Sequence, residues 1–352
     1  MRVLLTGAAG FIGAQVDTAL RAAGHDVVAS DGYLASAHGD SPVVRKDVQR
    51  LDVRDGAGLD EALRGVDVVC HQAAVVGAGI GTDDAPAYAS HNDFGTAVLL
   101  AAMDRAGCHR LVLASSMVVY GEGRYRSATS GIVEPPPRTL ADLDAGVFDN
   151  RSPVTGETLT WDLVDEDAAL RPRSTYAASK VAQEHYALAW AAATGGRVTA
   201  LRYHNVYGDH MPRDTPYSGV AAMFRSSLES GKPPTVYEDG QQARDFVHVS
   251  DIAAANVAAI EVGLDGYVPL NVCSGYPITI GEVARILSAA RGGPEPVITG
   301  RYRPGDVRHI VASPGRAREL LGFAAQVTPQ SGLAEFAFAP LRDSSGNRPP
   351  TV

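Results

Sequence analysis

The chain has 352 residues, 45% of them hydrophobic, enough apolar material for one large α/β domain or for a domain with a smaller lobe. Its formal charge of −9 excludes a nucleic-acid partner, which needs a basic face, so a phosphate-bearing ligand has to meet local arginines. No run of about 20 apolar residues exists to span a membrane, the N-terminus reads as strand and glycine turn rather than leader, and Cys70, Cys108 and Cys273 are isolated, as expected for reduced core thiols of a cytoplasmic protein with no metal site.

The first residues, MRVLLTGAAGFIG, place the apolar run Val3, Leu4 and Leu5 before Gly7, Gly10 and Gly13. A strand ending in such a turn and opening into a helix, here predicted over Ile12 to Ala23, lays a dinucleotide pyrophosphate against free N–H groups at the positive helix end. A Cβ would block that approach. Gly7, Gly10, Phe11, Ile12 and Gly13 are therefore the candidate cofactor turn. A second apolar run, Val27 to Ala29, leads to Asp31, about 20 residues on, where an acidic residue holds the adenosine ribose hydroxyls. With Gly32 next and no arginine there, the site favours NAD over NADP, whose extra phosphate a carboxylate repels.

Strands near Val48 to Asp52 and over Val66 to Cys70 flank a helix at Leu59 to Leu63, and this alternation predicts a doubly wound parallel sheet, a Rossmann-type α/β fold. Asp52 and Val53 either bracket the adenine or form a loop turn with a solvated Asp. In HQAAVVG, the small-residue loop with Gln72, Ala73 and Ala74 lets backbone approach a ligand, whereas His71 reads as a strand-end packing residue. A helix from Tyr88 to Ala106 carries Asn92 and leads to a strand Arg110 to Ala114. LASSMVVYGE then sets Ser115 and Ser116 at the carboxyl edge where open α/β sheets bind ligands.

From Gly121 to Arg171 no period is visible, and Pro135, Pro136 and Pro137 stand in a row. Such a length implies a lid, a small subdomain or a mobile insertion. The helix Ser174 to Thr194 contains YAASK, whose spacing of four puts Tyr176 and Lys180 on one face. After the strand Val198 to Tyr203 the pattern loosens, with helices at Gly219 to Glu229, Ile252 to Val262, Ile280 to Arg291 and Pro314 to Leu321 and a short strand at Thr235 to Tyr237. We expect an NAD-binding part over 1–206 with the insertion 121–171, and a smaller substrate lobe over 207–341, some of whose segments return to the first part. A disordered tail is expected over 342–352.

Tyrosine, with a pKa near 10, is a poor base at neutral pH, but a lysine ammonium one turn away and a positive nicotinamide ring each favour the phenolate, by roughly 1 to 3 units. With Ser116 steadying the substrate hydroxyl, Tyr176 and Lys180 suit removal of a hydroxyl proton while hydride leaves the same carbon for NAD.

Taken together, TGAAGFIG, HQAA, SSMVVYG, YAASK, LRYHNVYG, RDFVHVSD and RPGD resemble the extended short-chain dehydrogenase/reductases of the NAD-dependent nucleotide-sugar epimerase/dehydratase family, from Arg2 to about Phe323. The resemblance implies Ser116, Tyr176 and Lys180 as the catalytic triad, with Asn92 and Tyr203 among the NAD contacts. It implies Asn205 at the sugar diphosphate, Arg244, Arg303 and Asp306 at the nucleotide and its phosphates, and Val236 and Tyr237 at the base pocket. Ser115, Met117, His204 and Tyr217 complete the implied substrate contacts.

Met117 and Val118 stand where dehydratases and decarboxylases of the family place carboxylates, and neither side chain transfers protons. What remains is a 4-epimerase or a 4-ketoreductase of a dTDP- or UDP-linked hexose, or a noncatalytic NAD-sensing protein. The runs PYSGVAAMF and PPTVYEDGQQARDFVHV most resemble the dTDP-L-rhamnose 4-epimerase group. His204 replaces a usual aromatic, and either donates to the sugar or the nicotinamide amide or simply fills that slot. A homodimer through the helices near Asn92 to Gly107 and Ser174 to Thr194 is also implied.

Overall fold

Val3, Leu4 and Leu5 have no exposed surface, as an inner strand covered on both sides requires. The computed structural model describes residues 1–39, 42–77, 81–213 and 219–342. Its centre is a seven-stranded parallel sheet. From one edge it runs β3 (Gln49–Arg50), β2 (Asp26–Asp31), β1 (Arg2–Thr6), β4 (Val68–His71), β5 (Arg110–Ser116), then Arg197–Tyr203 and Tyr267–Val272. That order is the doubly wound one, and it reverses between β1 and β4, where such sheets bind ligands.

Alternation along β1 sorts its side chains into two cores. Val3 and Leu5 face Val16 and Leu20 of α1 (Phe11–Ala22) and Ile252 and Ile260 of the helix Val249–Val262. Leu4 faces Leu99 and Leu100 of Gly95–Ala106 and Ala187 and Trp190 of Thr175–Thr194. Burying a leucine or valine in this way contributes about 1.5–3 kcal/mol per side chain. A third core is built on Tyr207, Phe224, Phe246, Leu287 and Phe336. Phe11 packs on it while Ile12 packs on the sheet core, so the first turn of α1 touches both cores. Residues 249–272 and 315–323 return to the sheet core.

Several elements differ from their sequence expectation. The strand near Val48 to Asp52 shrinks to two residues, because Asp52 turns the chain by accepting the Arg54 N–H at 2.9 Å. The long helix expected from Tyr88 is Ala85–Tyr88 joined to Gly95–Ala106 by a π-helical stretch, Ala89–Phe94. The insertion is a small subdomain, with strand Arg124–Ser127 pairing antiparallel with both Gly131–Val133 and Thr160–Asp162, plus a short helix Leu140–Asp144. Arg342, expected to begin the disordered tail, is instead held in a bridge to Pro212. Residues 343–352 lie outside the described residues. The three cysteines are buried and free, and among the described residues no helix is long and apolar enough to cross a membrane.

Candidate active site

At the carboxyl edge of β1, Gly7 adopts φ +71°, and a Cβ there would come within 2.7 Å of the Ala73 nitrogen. At Gly13 a Cβ would meet the Gly7 carbonyl oxygen at 1.9 Å, so the turn and α1 close only on glycine. No side chain caps α1 at Gly10, which leaves its first-turn N–H groups for a ligand. A groove runs from here, lined by Gly7, Gly10, Asp31, Gly32, Asp52, Val53, Gln72, Ala73 and Ala74. Asp31 accepts from the Ala9 N–H at 3.0 Å, the Tyr33 N–H at 2.7 Å and His38 Nε2 at 3.3 Å. Burial pushes its carboxyl up, but the His38 and backbone hydrogen bonds outweigh this and hold it below the usual range. Asp52 and Val53 both line the groove, and Asp52 also makes the loop turn, accepting the Arg54 N–H at 2.9 Å with its carboxylate forked by the Arg54 guanidinium.

Two expected cofactor contacts stand behind this wall. Asn92 is fully buried and spends its amide on both backbone groups of Val75 and on Ser179 Oγ, so it shapes the loop after β4 rather than facing the groove. Tyr203 donates its hydroxyl to Gln72 Oε1 at 3.1 Å and thereby fixes a residue of the lining. His71, sandwiched between Thr6 and Thr96 hydroxyls and drawn down to about 3 by burial, is the packing residue that its context suggested.

The next edge holds the triad. The Tyr176 hydroxyl is hydrogen-bonded to Ser116, which is the last residue of β5, and Lys180 lies one turn along the same helix. Ser115 does not join them. Strand alternation turns it to the opposite face, where its hydroxyl donates to the buried Glu184 carboxylate, so its expected substrate contact is corrected. The Lys180 ammonium donates to the Ala114 carbonyl at 2.9 Å, and burial brings it down to about 8 while Glu184 and Asp93 pull it back up. Burial also pushes the Tyr176 phenol above its ordinary range, with the Ser116 hydrogen bond pulling the other way. The lowering expected from Lys180 is therefore absent in the protein alone, where desolvation wins. Met117 sits in the short 3-10 turn after β5 and packs against Val119, Tyr120 and Ile310.

Just past the strand Arg197–Tyr203, His204 is 4% exposed and, among the described residues, neither ring nitrogen has a hydrogen-bond partner; the same holds for Asn205 Oδ1. Burial, assisted by the Arg244 charge, holds the His204 ring near 3, so it is neutral. Arg244 is aimed by carbonyls of Ala243, Val307 and Arg308 at 2.7–2.9 Å. The Arg303 guanidinium lies over the Tyr237 ring at 5.2 Å, and the Asp306 N–H closes RPGD into a turn on the Arg303 carbonyl. Val236 is fully buried in the lobe core with its carbonyl taken by Thr299, so it supports Tyr237 from behind and is corrected as a pocket contact. Tyr217 lies outside the described residues.

Sequence reasoning missed Leu34, Ala37, His38, Leu51 and His91 in the groove. Only their nearness to Asp31, Asp52 and Asn92 in sequence could have found them, since no motif marks a residue that a loop merely carries past. It also missed the ion network of the insertion, in which Arg308 is fully buried and bound by Asp149, Glu238 and Asp239 at 2.8 Å each.

The chain is similar to known proteins along most of its length. The profile of the NAD dependent epimerase/dehydratase family matches residues 3–140 and 153–273. A dTDP-L-rhamnose 4-epimerase of Burkholderia thailandensis is 34% identical over 343 residues, covering 95% of this chain and 93% of that one. A UDP-glucose 4-epimerase of Mycolicibacterium smegmatis is 30% identical, with 95% and 97% covered. Among solved structures, the UDP-glucose 4-epimerase of Thermus thermophilus, in complex with NAD, superposes with a TM-score of 0.74 at 31% identity, covering 96% of this chain and 98% of that one. The glycine turn, the edge position of Ser116 and Tyr176 and these similarities lead to one assignment: the chain belongs to the NAD dependent epimerase/dehydratase family.

Proposed function

We propose that this protein is an NAD-dependent epimerase that inverts C4 of a hexose carried on a nucleoside diphosphate, dTDP or UDP. The observation that carries the reading is the Ser116–Tyr176 hydrogen bond with buried Lys180 one turn along, at the end of the strand that pairs with β4, whose following loop walls the glycine groove, and with no proton-transferring side chain at Met117 or Val118. The groove suits NAD: Gly7 and Gly13 admit no Cβ, the first turn of α1 offers N–H groups to a pyrophosphate, and Asp31 faces the ribose end. NAD, when bound, supplies the acceptor and donor of hydride and a positive charge near the phenol.

Tyr176 takes the proton of the C4 hydroxyl as that carbon is oxidised, and returns it when the ketone is reduced on its other face. Ser116 holds the oxygen in reach, and Lys180 supplies the ammonium that favours the phenolate. Arg244, Arg303 and Asn205 anchor the diphosphate and nucleotide while the 4-keto sugar swings about its diphosphate linkage. Most binding energy therefore lies away from the reacting ring. The protein works in the cytoplasm as a homodimer through the helices Gly95–Ala106 and Thr175–Thr194, the latter exposing Tyr186 and Leu188.

Purified protein incubated with dTDP- and UDP-hexoses, with no cofactor added, is expected to give the C4 epimer by proton NMR. Tyr176→Phe is expected to abolish turnover with bound NAD and folding retained; normal turnover in that variant removes the proposed base. Stoichiometric consumption of added NADH or NADPH would point to a ketoreductase instead.

A further inference from the structure

The insertion 121–171 has no part in the mechanism above, yet one of its side chains reaches both arms of the nucleotide clamp. Arg138 follows the rigid Pro135–Pro137 run and is 5% exposed at its side chain. Its Nη1 lies 2.9 Å from Glu238 Oε1 and donates to the Phe148 carbonyl at 3.1 Å; its Nη2 donates to the Asp306 carbonyl at 2.6 Å. Glu238 adjoins Tyr237, and Asp306 ends the turn that carries Arg303, so a single guanidinium joins the segment bearing the ring to the segment bearing the arginine stacked over it. A second contact repeats the pattern, since Tyr302 donates its hydroxyl to Asp144 of the insertion at 2.5 Å.

Glu238 also holds a left-handed backbone, φ +52°, which a non-glycine residue keeps only where its surroundings enforce it. The Glu238 carboxylate is gripped on one side by Arg308 and on the other by Arg138. Arg308 also has the Asp149 and Asp239 carboxylates to hold, whereas Arg138 is the group that ties Glu238 to the Asp306 turn. A planar, three-way bridge of this kind needs a guanidinium; a lysine ammonium is a point donor on a flexible stem.

We propose that Arg138 is a positioning residue through which the insertion sets the spacing of the Tyr237 and Arg303 clamp, and so the affinity for the nucleotide. The inference rests on the reading of this lobe as a nucleotide-diphosphate site. Because the contacts above occupy the buried guanidinium, Arg138 acts through Tyr237 and Arg303 rather than on the ligand.

The test uses the full chain with its bound cofactor. In calorimetric titrations with dTDP and with UDP, Arg138→Met is expected to weaken binding by about tenfold or more, and Arg138→Lys by less. In turnover, KM is expected to rise by about the same factor while kcat falls by less than about threefold. Hydrogen–deuterium exchange on the unmutated protein is expected to show added protection of 136–142, together with 235–239 and 301–306, when nucleotide is bound. Arg138→Met binding as the unmutated protein does, or no added protection over 136–142, overturns the proposal; the exchange measurement decides it even if the variant fails to fold. Unmutated protein that takes neither nucleotide overturns the substrate reading itself, and this inference with it.

Discussion

A neutral imidazole carries one N–H donor, and burying a donor without a partner costs about 1–3 kcal/mol. His204 is in that position, and a phenylalanine would fill the same slot without that cost, so of the two readings open in the sequence the hydrogen-bonding one is favoured. His204→Phe is expected to raise stability by about 1 kcal/mol and to lower kcat/KM by roughly tenfold, with bound NAD retained. The pH dependence follows from the ring's depressed pKa. The folded protein holds it near 3 against about 6.5 when unfolded, so its contribution to stability is complete above about 6.5 and is lost progressively as the pH falls toward 3. Thermal unfolding at pH 7 and pH 5 should therefore show the unmutated protein losing more stability than His204→Phe. The limbs of the kcat/KM profile between about pH 6 and 9 should stay where they are, because the ring does not titrate there. Equal acid sensitivity of both proteins would remove the neutral-ring argument.

The helix Thr175–Thr194 carries Tyr176, Lys180 and Glu184 at intervals of four, and the last of these fastens it. Glu184, 1% exposed, meets Arg202 at 2.7 Å, accepts the Ser115 hydroxyl and accepts the Tyr267 hydroxyl at 2.7 Å, so it binds three strands of the sheet at once. Removing one partner of such a buried pair leaves the other charge uncompensated, at about 3–5 kcal/mol. Glu184→Ala is expected to lose that much in urea unfolding, and to lower kcat because the catalytic pair rides on the same helix; a loss under about 1 kcal/mol would show that Arg202 finds another partner. The periodicity that made Tyr176 and Lys180 legible extends to Glu184, but its partners come from strands far along the chain, and nothing local announces them. The glycine turn and the doubly wound parallel sheet were readable for the opposite reason: their determinants lie within a strand, a turn and a helix. The insertion was not readable as a sheet because its strands have three or four residues, too few for alternation to emerge, and its Arg138 and Asp149 find their charge partners, Glu238 and Arg308, far along the chain. Ser115 and Ser116 were separable by strand alternation alone, once the strand was known to run through both.

At the scale of the whole molecule, Arg342, the last of the described residues, packs back against the first turn of the chain. The Arg342 N–H donates to the Met211 carbonyl at 3.1 Å and its own carbonyl accepts from Arg213 at 2.9 Å, which fastens it to the smaller lobe. Its guanidinium donates to the Ala9 carbonyl at 3.1 Å and the Ala37 carbonyl at 3.3 Å. Ala9 belongs to the glycine turn and Ala37 lines the groove near Asp31, so one side chain ties the turn to that wall. Burial draws the Arg342 guanidinium down while the Asp31 charge pulls it back. An epimerase regenerates its cofactor in every cycle and gains nothing by releasing it, so a clip here serves retention. Arg342→Ala, losing these two hydrogen bonds, is expected to release NAD roughly fivefold faster, as about 1 kcal/mol would bring. Dialysis would then leave less NAD on the variant, and turnover would recover when NAD is added back. Equal retention by both proteins would show that the walls of the groove stay together without the Arg342 side chain, and that α1 and the loop after β2 hold the cofactor by themselves.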